Sequence, residues 1–382
     1  MVLSGLLTSH VDDLFTAGEG IEYEESIKEL SAKICLSLKR VEFRFCGKLV
    51  TQFPDYTVKV SQRDGIEALE YAPIDRHRRT KPNLPLLPSE LTLLRSVIGS
   101  TGWILRQSRF DRAVWVSFVA QSAGNPTIRS LVDANKIIKM LKDEKDVCLM
   151  FRSFPAGELD FDNAEIFVCA DASHANVPGR AEDDRVRSQS GYVLGLCSPG
   201  VGKFEAKGFV HLIEGMSAAI RRVCRSTLAA EANGLIAAVE AVEYFRMIIA
   251  ELDDPHFDIV QEPHFIGRPT HAFTDAGSLP AALGKETGQP ADKRVRILLA
   301  QLREYIGRSS LPGSVVMVHW VDTKMMLADC LTKTEKVNAE YLQLAMMENM
   351  WSPLASAEAI EAKAVARQSR ARRASLLRQQ KG

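Results

Sequence analysis

Alternating and helical hydrophobic patterns divide the chain into a strand-rich start, a helical middle and a mixed second half. Residues 1–18 read as two short strands about a turn at Asp12-Asp13, and Ile21, Ile27, Leu30, Ile34 and Leu36 space a helix over 20–40. From Val41 to Val60 the pattern alternates like strands through Phe43, Phe45, Leu49, Tyr56, Val58 and Val60. Prolines and the basic stretch Arg76-His77-Arg78-Arg79-Thr80-Lys81 predict a linker or loop over 72–90. Residues 89–122 and 127–142 pattern as two or three packed helices, the later one opening at Pro126-Thr127. A polar break from Gly157 to Asp162 marks a boundary. Beyond it, strands are predicted over 164–170, 190–196 and 208–213. Ser226-Thr227 caps a long helix with an apolar face of Leu228, Leu235, Val239, Val242, Phe245 and Ile249. A strand over 271–274, a helix near 292–307, a strand over 314–321 and a closing helix around 336–350 complete the pattern. Strands first and helices alternating later predict a mixed α/β sheet covered by helices.

Length and composition refine this picture. A chain of 382 residues suggests about two domains. The breaks place them at 1–160 and 161–352, followed by a basic tail over 353–382. In that tail Arg367, Arg370, Arg372, Arg373, Arg378 and Lys381 stand among Ala, Ser and Gln, which predicts a detached helix or disorder. A solvated tail is the plainer reading there, with nucleic-acid contact as the alternative. The formal net charge is zero, so nucleic-acid binding would have to come from local patches. Seven scattered cysteines without a C-x-x-C pair read as reduced thiols, against a disulfide framework or a zinc site. The first residues lack the basic flank of a signal peptide, and no apolar run reaches the roughly 18 residues of a membrane span. The expectation is an intracellular protein, of cytoplasm or nucleus, with no membrane partner. The residues set no oligomeric state.

Four carboxylates carry the candidate chemistry. Asp171 ends the apolar run 166–170, Glu231 lies early in the long helical pattern, Asp275 ends the run 272–274, and Asp329 comes after the run 315–321 and a short loop. Acids at the ends of different strands and on a facing helix can converge, and converging carboxylates repel unless a divalent cation neutralises them. That is the requirement for two-metal hydrolysis of a phosphodiester. Taken singly, each acid has a plainer role: a strand-end turn for Asp171 and Asp275, a solvated helix position for Glu231, an N-cap for Asp329. His256, His264 and His271 match no common zinc spacing and read as loop or core residues.

Five segments in this order resemble the ribonuclease H domain of copia-type retrotransposon polyproteins. They are Ala170-Asp171-Ala172-Ser173, Arg187-Ser188-Gln189-Ser190-Gly191-Tyr192-Val193, Ser226-Thr227-Leu228-Ala229-Ala230-Glu231-Ala232, Thr274-Asp275-Ala276-Gly277-Ser278 and Leu327-Ala328-Asp329-Cys330-Leu331-Thr332-Lys333. They cover roughly residues 164–335. The first half resembles the end of the reverse transcriptase of the same polyproteins. His10-Val11-Asp12-Asp13-Leu14 is similar to the polymerase hairpin with two metal-binding aspartates. Phe45-Cys46-Gly47-Lys48 and Leu94-Arg95-Ser96-Val97-Ile98-Gly99-Ser100 are similar to segments C-terminal to that hairpin.

The resemblance implies a mixed five-stranded ribonuclease H-like sheet flanked by helices, preceded by a partial palm and thumb of α+β type. It assigns Asp171, Glu231, Asp275 and Asp329 to a catalytic site for two Mg²⁺ or Mn²⁺ ions, about 3.5–4 Å apart. The implied activity is hydrolysis of the RNA strand of RNA–DNA hybrids, with the hybrid and the rest of a Pol polyprotein as partners. Asp12 and Asp13 would be a vestigial polymerase metal site. The further aspartate and the fingers that a polymerase needs fall before Met1, so no DNA synthesis is expected of this chain alone. Arg187 and Ser190, with Arg185 and Ser188, and Arg222 and Arg225, with Arg221, are candidates for substrate phosphates; ordinary surface arginines are the competing reading. Hybrid selectivity would come from 2′-hydroxyl and shape contacts.

The sequence also departs from the family pattern. Glu231 stands four positions after Thr227 where copia-type chains usually have Ser-Thr-Glu-Ala-Glu. Asp275 precedes Ala-Gly instead of the frequent Asn-Gln. No histidine stands in the loop before Asp329, and His319 falls inside a strand pattern. Two alternatives stay open: a decayed relic that only binds nucleic acid, and a metal-dependent exonuclease. Against the latter, Asp171-Ala172-Ser173 lacks the second acid of an Asp-x-Glu strand.

Overall fold

The structure is a computed structural model that describes residues 4–34, 36, 38–155, 157–177, 187–205, 208–254, 256–258, 260, 267–284, 290–308, 316–334 and 336–354. Cys35, Arg185, His264 and the basic stretch 355–382 lie outside the described residues.

The chain opens with an antiparallel hairpin, β1 (Gly5–His10) and β2 (Asp13–Gly18), in which His10 faces Asp13. Val11 and Asp12 make the exposed turn, Val11 at φ 57°. Helix α1 (Ile21–Lys33) comes next, and then β3 (Glu42–Phe45), β4 (Lys48–Gln52) and β5 (Val58–Ser61), as the alternation implied. Helices α2 (Arg63–Glu67) and α3 (Arg76–Arg79) are short, and α4 (Pro88–Gln107), α5 (Ala113–Ser122) and α6 (Ile128–Asp143) form the helical middle. Their apolar stripes meet in one core with Ile66, Leu94, Leu105, Leu131, Ile138 and Leu141 fully buried. Strand β6 (Leu149–Phe151) closes the antiparallel sheet in the order β3-β4-β5-β6. No local pattern announces a three-residue strand whose partner lies some 90 positions earlier. The segment 72–90 is more ordered than a linker: Arg78 binds Glu90 at 2.7 Å, and the same carboxylate accepts from the Leu87 N–H that opens α4.

The second half builds on β7 (Glu165–Val177), β8 (Arg187–Cys197), β9 (Val210–Ala219), β10 (Thr270–Thr274) and β11 (Val316–Trp320). They form one mixed five-stranded sheet in the order β11-β10-β7-β8-β9. Pairs β7–β10 and β10–β11 are parallel, and β7–β8 and β8–β9 are antiparallel. Helices α7 (Pro199–Gly202), α8 (Thr227–Asp253), α9 (Ser278–Leu283), α10 (Lys293–Arg308) and α11 (Lys336–Glu348) complete it. The expected mixed α/β fold with a mixed five-stranded sheet is therefore present.

Strand alternation decides which side chains serve which layer. On β7, Ile166, Val168 and Ala170 join a core with α8 and α10 through Leu235, Val239, Leu299 and Leu302. Phe167 and Cys169 point to the opposite face and pack with α11 and a 3-10 turn, Leu327–Leu331. Asp171 continues that second row. Ser226 caps α8 by accepting from the Ala229 N–H at 3.2 Å, a contact of about 1 kcal/mol.

The second face is shared with the first half of the chain. Phe110 is 1% exposed and belongs to the same core as Phe167, Leu212 and Phe273. It lies against Gly215 of β9, where a Cβ would collide with its ring. Beside it, Arg109 and Asp111 are fully buried and paired at 2.9 Å, Arg112 binds Glu144, and Gln343 of α11 donates to Asp111 at 2.7 Å. Packing thus runs continuously across the polar break at 157–162.

Candidate metal centre

Parallel pairing of β7 and β10, with Cys169 opposite Phe273, carries both strands to the same edge, where Asp171 and Asp275 stand two positions later. The 3-10 turn Leu327–Leu331 brings Asp329 onto the sheet face below them. Carboxylate oxygens of Asp171, Asp275 and Asp329 lie within 4.8 Å of one another, the one group of this kind among the described residues. Asp171 is 2% exposed and Asp329 5%, while Asp275 is half-buried.

Glu231 approaches from α8. One turn onward, Gly234 lets the helix come close to β7: a Cβ there would sit 3.2 Å from the Asp171 carbonyl oxygen. Glu231 is buried, with the Ala172 N–H facing its carboxylate and Asp171 and Asp275 near enough to act on its charge. It stands beside Asp171 and Asp275 without being among the oxygens within 4.8 Å. The register of α8 turns this residue toward Asp171 and Asp275.

The electrostatics arise from crowding and burial. Burial, reinforced by Asp171 and Asp275, lifts the Glu231 pKa from 4.5 to about 9. Burial also raises Asp171 from 3.8 to about 7, against the pull of Lys333 and with the push of Asp275 and Asp329. Lys333 supplies the compensating charge: its ammonium binds Asp329 and lies 3.6 Å from Asp171. Burial opposes the lysine charge, but the aspartates outweigh it and hold its pKa above the ordinary lysine value. The Thr332 hydroxyl donates to Asp171 Oδ2 and fixes that carboxylate. On the Asp275 side, the Trp320 indole N–H donates to the Asp275 carbonyl oxygen at 3.1 Å while its ring stays half exposed.

Thr332, Lys333 and Trp320 received no role from the sequence. Thr332 and Lys333 sit three and four positions after Asp329, the spacing that places side chains on one face of a helical turn, and that was the available signal. Trp320 had only its place at the end of an apolar run.

The other candidates fall elsewhere. Asp12 and Asp13 are exposed at the β1–β2 turn. Arg187 is exposed at the start of β8, and Arg222 and Arg225 are exposed in the loop before α8. Ser190 is 6% exposed, and its hydroxyl donates to the Ala218 carbonyl at 3.3 Å, so it faces β9 and not solvent. His271 is a core residue bonded to Glu165 at 2.8 Å and to His319 at 3.0 Å. Cys46, Cys148, Cys169, Cys197, Cys224 and Cys330 are free thiols. Among the described residues, no helix is long and apolar enough to cross a membrane.

No protein-family model and no curated protein sequence matches the chain. Among solved structures, the N-terminal ribonuclease H domain of rv2228c from Mycobacterium tuberculosis, studied as a fusion with maltose-binding protein, is 15% identical. It aligns with a TM-score of 0.29 over 47% of this chain and 97% of that one. Ribonuclease H1 of the halophilic archaeon Halobacterium salinarum is 18% identical, with a TM-score of 0.29 over 44% of this chain and 92% of that one. A foamy viral protease–reverse transcriptase in complex with double-stranded DNA is 14% identical, with a TM-score of 0.45. That match takes in 83% of this chain, which spans 46% of the viral protein. The strand order and the carboxylate geometry stand independently of these weak likenesses.

Proposed function

We propose that the chain is a divalent-metal-dependent nuclease of ribonuclease H type, derived from a copia-type Pol polyprotein, that hydrolyses the RNA strand of RNA–DNA hybrids. The observation that carries this reading is the meeting of Asp171, Asp275 and Asp329 within 4.8 Å at one sheet edge, with Glu231 facing them. The donor set fits a hard cation: it is all carboxylate oxygen, largely buried, and destabilised by its own charge. Lys333 shows that the site accepts positive charge, since its ammonium already contacts two of the three acids.

In this reading Asp171, Asp275 and Asp329 hold Mg²⁺ or Mn²⁺, and Glu231 completes the set. When bound, such ions polarise the scissile phosphate and lower the pKa of an attacking water. The protein's own work is placement. Thr332 anchors one oxygen of Asp171, Trp320 holds the Asp275 backbone, and burial on the sheet keeps bulk water from the inner acids. Arg187, Arg222 and Arg225 are exposed and available to phosphates, which gives salt-sensitive binding without sequence choice. Residues 1–160 are read as the end of a reverse transcriptase, and Asp12-Asp13 as a hairpin turn without polymerase activity.

The test is cleavage of a fluorogenic RNA–DNA hybrid with Mg²⁺, beside duplex RNA and single-stranded RNA. Hybrid-selective cleavage that Asp171→Asn abolishes is expected. Activity in Asp171→Asn equal to wild type would reject the site, and hybrid binding without cleavage by the wild type would favour the decayed relic.

A further inference from the structure

The metal loop is held by more than its own acids. Across the sheet, Asp171 on β7 lies opposite Gly191 on β8, which lies opposite Ser217 on β9. This row forms the floor on which residues 329–333 rest. At Gly191 there is no room for a side chain: a Cβ would strike the Leu331 side chain, with the Leu331 carbonyl carbon and oxygen at 3.1 and 3.2 Å. The loop backbone therefore lies directly on the strand. At one end of the row Asp171 takes the Thr332 hydroxyl, and at the other Ser217 Oγ donates to the Leu331 carbonyl at 2.5 Å. Two adjacent loop residues are thus pinned to the sheet from both sides.

The Ser217 end continues into the first half of the chain. Gln189 is fully buried, and its Nε2 donates to Ser217 Oγ and to Ser117 Oγ of α5, both at 2.8 Å. Gln121 of the same helix donates to Gln189 Oε1 at 3.1 Å. The hydrogen bonds from Gln189 onward run in one direction, through Ser217 to the Leu331 carbonyl, so each polarises the next.

We propose that Ser117, Gln189 and Ser217 are positioning residues: they form a bridge by which helix α5 holds the loop of Asp329 and Thr332 in ligating geometry. The bridge rests on the metal-centre reading above. Its meaning is that helix α5 is a working part of the nuclease site and not only a remnant of another domain. A buried amide needs its partners, since leaving one unmade costs about 1–3 kcal/mol. Here the partners are chosen so that the last bond falls one residue from the hydroxyl that orients Asp171.

The experiment is isothermal titration of the full-length chain with Mn²⁺ alone, together with melting in EDTA, for the wild type, Ser217→Ala, Ser217→Thr and Ser117→Ala. Loss of a hydrogen bond made directly to a metal ligand typically weakens affinity about 10–100-fold, and Ser217→Ala, which acts one step removed through the Leu331 carbonyl, is expected to cost roughly severalfold. Ser217→Thr retains the hydroxyl and should restore most of the affinity. Ser117→Ala should weaken binding by a smaller factor from a position that touches no ligand. If Ser217→Ala fails to fold, Ser117→Ala on the half-buried face of α5 carries the test alone. Wild-type affinity in Ser117→Ala and in every folded Ser217 variant would overturn the bridge and leave the metal centre standing. Absence of Mn²⁺ binding by the wild type would overturn the metal-centre reading and the bridge with it.

Discussion

Replacing Glu231 by Gln should make the metal-free protein more stable at alkaline pH. Glu231 has its pKa raised from 4.5 to about 9, chiefly by burial and then by Asp171 and Asp275. A carboxyl whose folded pKa lies above its unfolded value binds more protons in the native state, so stability is full below pH 4.5 and falls as pH rises toward 9. At pH 8 the linkage cost reaches a ceiling of about 5 kcal/mol, from 1.36 kcal/mol per unit over the interval from 4.5. Local relaxation and the shared field of Asp171 and Lys333 reduce the expected gain to about 2–3 kcal/mol. Glutamine keeps an acceptor for the Ala172 N–H and does not titrate, so the unfolded chain gains nothing by ionising at this position. Spread over the unfolding entropy of 382 residues, the gain corresponds to a rise in melting temperature of roughly 3 °C. Thermal melts in EDTA at pH 5 and pH 8 check it: the variant should lead at pH 8, and the lead should nearly vanish at pH 5, where wild-type Glu231 is protonated. Added Mg²⁺ should raise the wild type at pH 8 and close the gap. An equal advantage at both pH values, or none at pH 8, would refute the electrostatic account.

Lys333→Met should act with the opposite sign. Without the ammonium, Asp329 and Asp171 lose their counter-charge, and melts in EDTA at pH 8 should show a loss of about 1–3 kcal/mol. Mg²⁺ should recover most of that loss, and a deficit of the same size with and without metal would exclude charge compensation as the lysine's role. Phe110→Ala should cost about 3–5 kcal/mol, because it opens a cavity in the core shared by the two halves. Urea unfolding monitored by tryptophan fluorescence should show a single weakened transition, whereas two separated transitions with only one displaced would show that the halves fold independently.

Much of the candidate site was legible because its signals are local. The run before Asp171 is a continuous apolar stretch of strand length, the run before Asp275 ends at a turn, and Asp329 comes after a strand run and a short loop. Each can be read in a window of about ten residues. The strands of the second half and the helices α4, α6, α8 and α10 were legible for the same reason. Strand β6 was not, because a three-residue strand is defined by its partner β5 and not by its own periodicity. Ser190 shows the converse limit: a serine in a strand pattern presents two faces, and only the neighbouring β9 determined that its hydroxyl is spent on Ala218.

Read residue by residue, the chain shows which acids are present, their order, and the strand geometry that sends Asp171 to the face opposite Val168 and Ala170. Packing of distant segments brings Glu231 toward Asp171 and Asp275, through the close approach at Gly234, and lets Thr332 and Lys333 answer their charge. Long-range packing also makes Phe110 and α5 complete the face on which the Asp329 loop rests. The physical reason is range. Periodicity is written by backbone geometry over a few residues, whereas the field at a buried carboxylate depends on segments far apart in the chain, brought together only when the whole core packs.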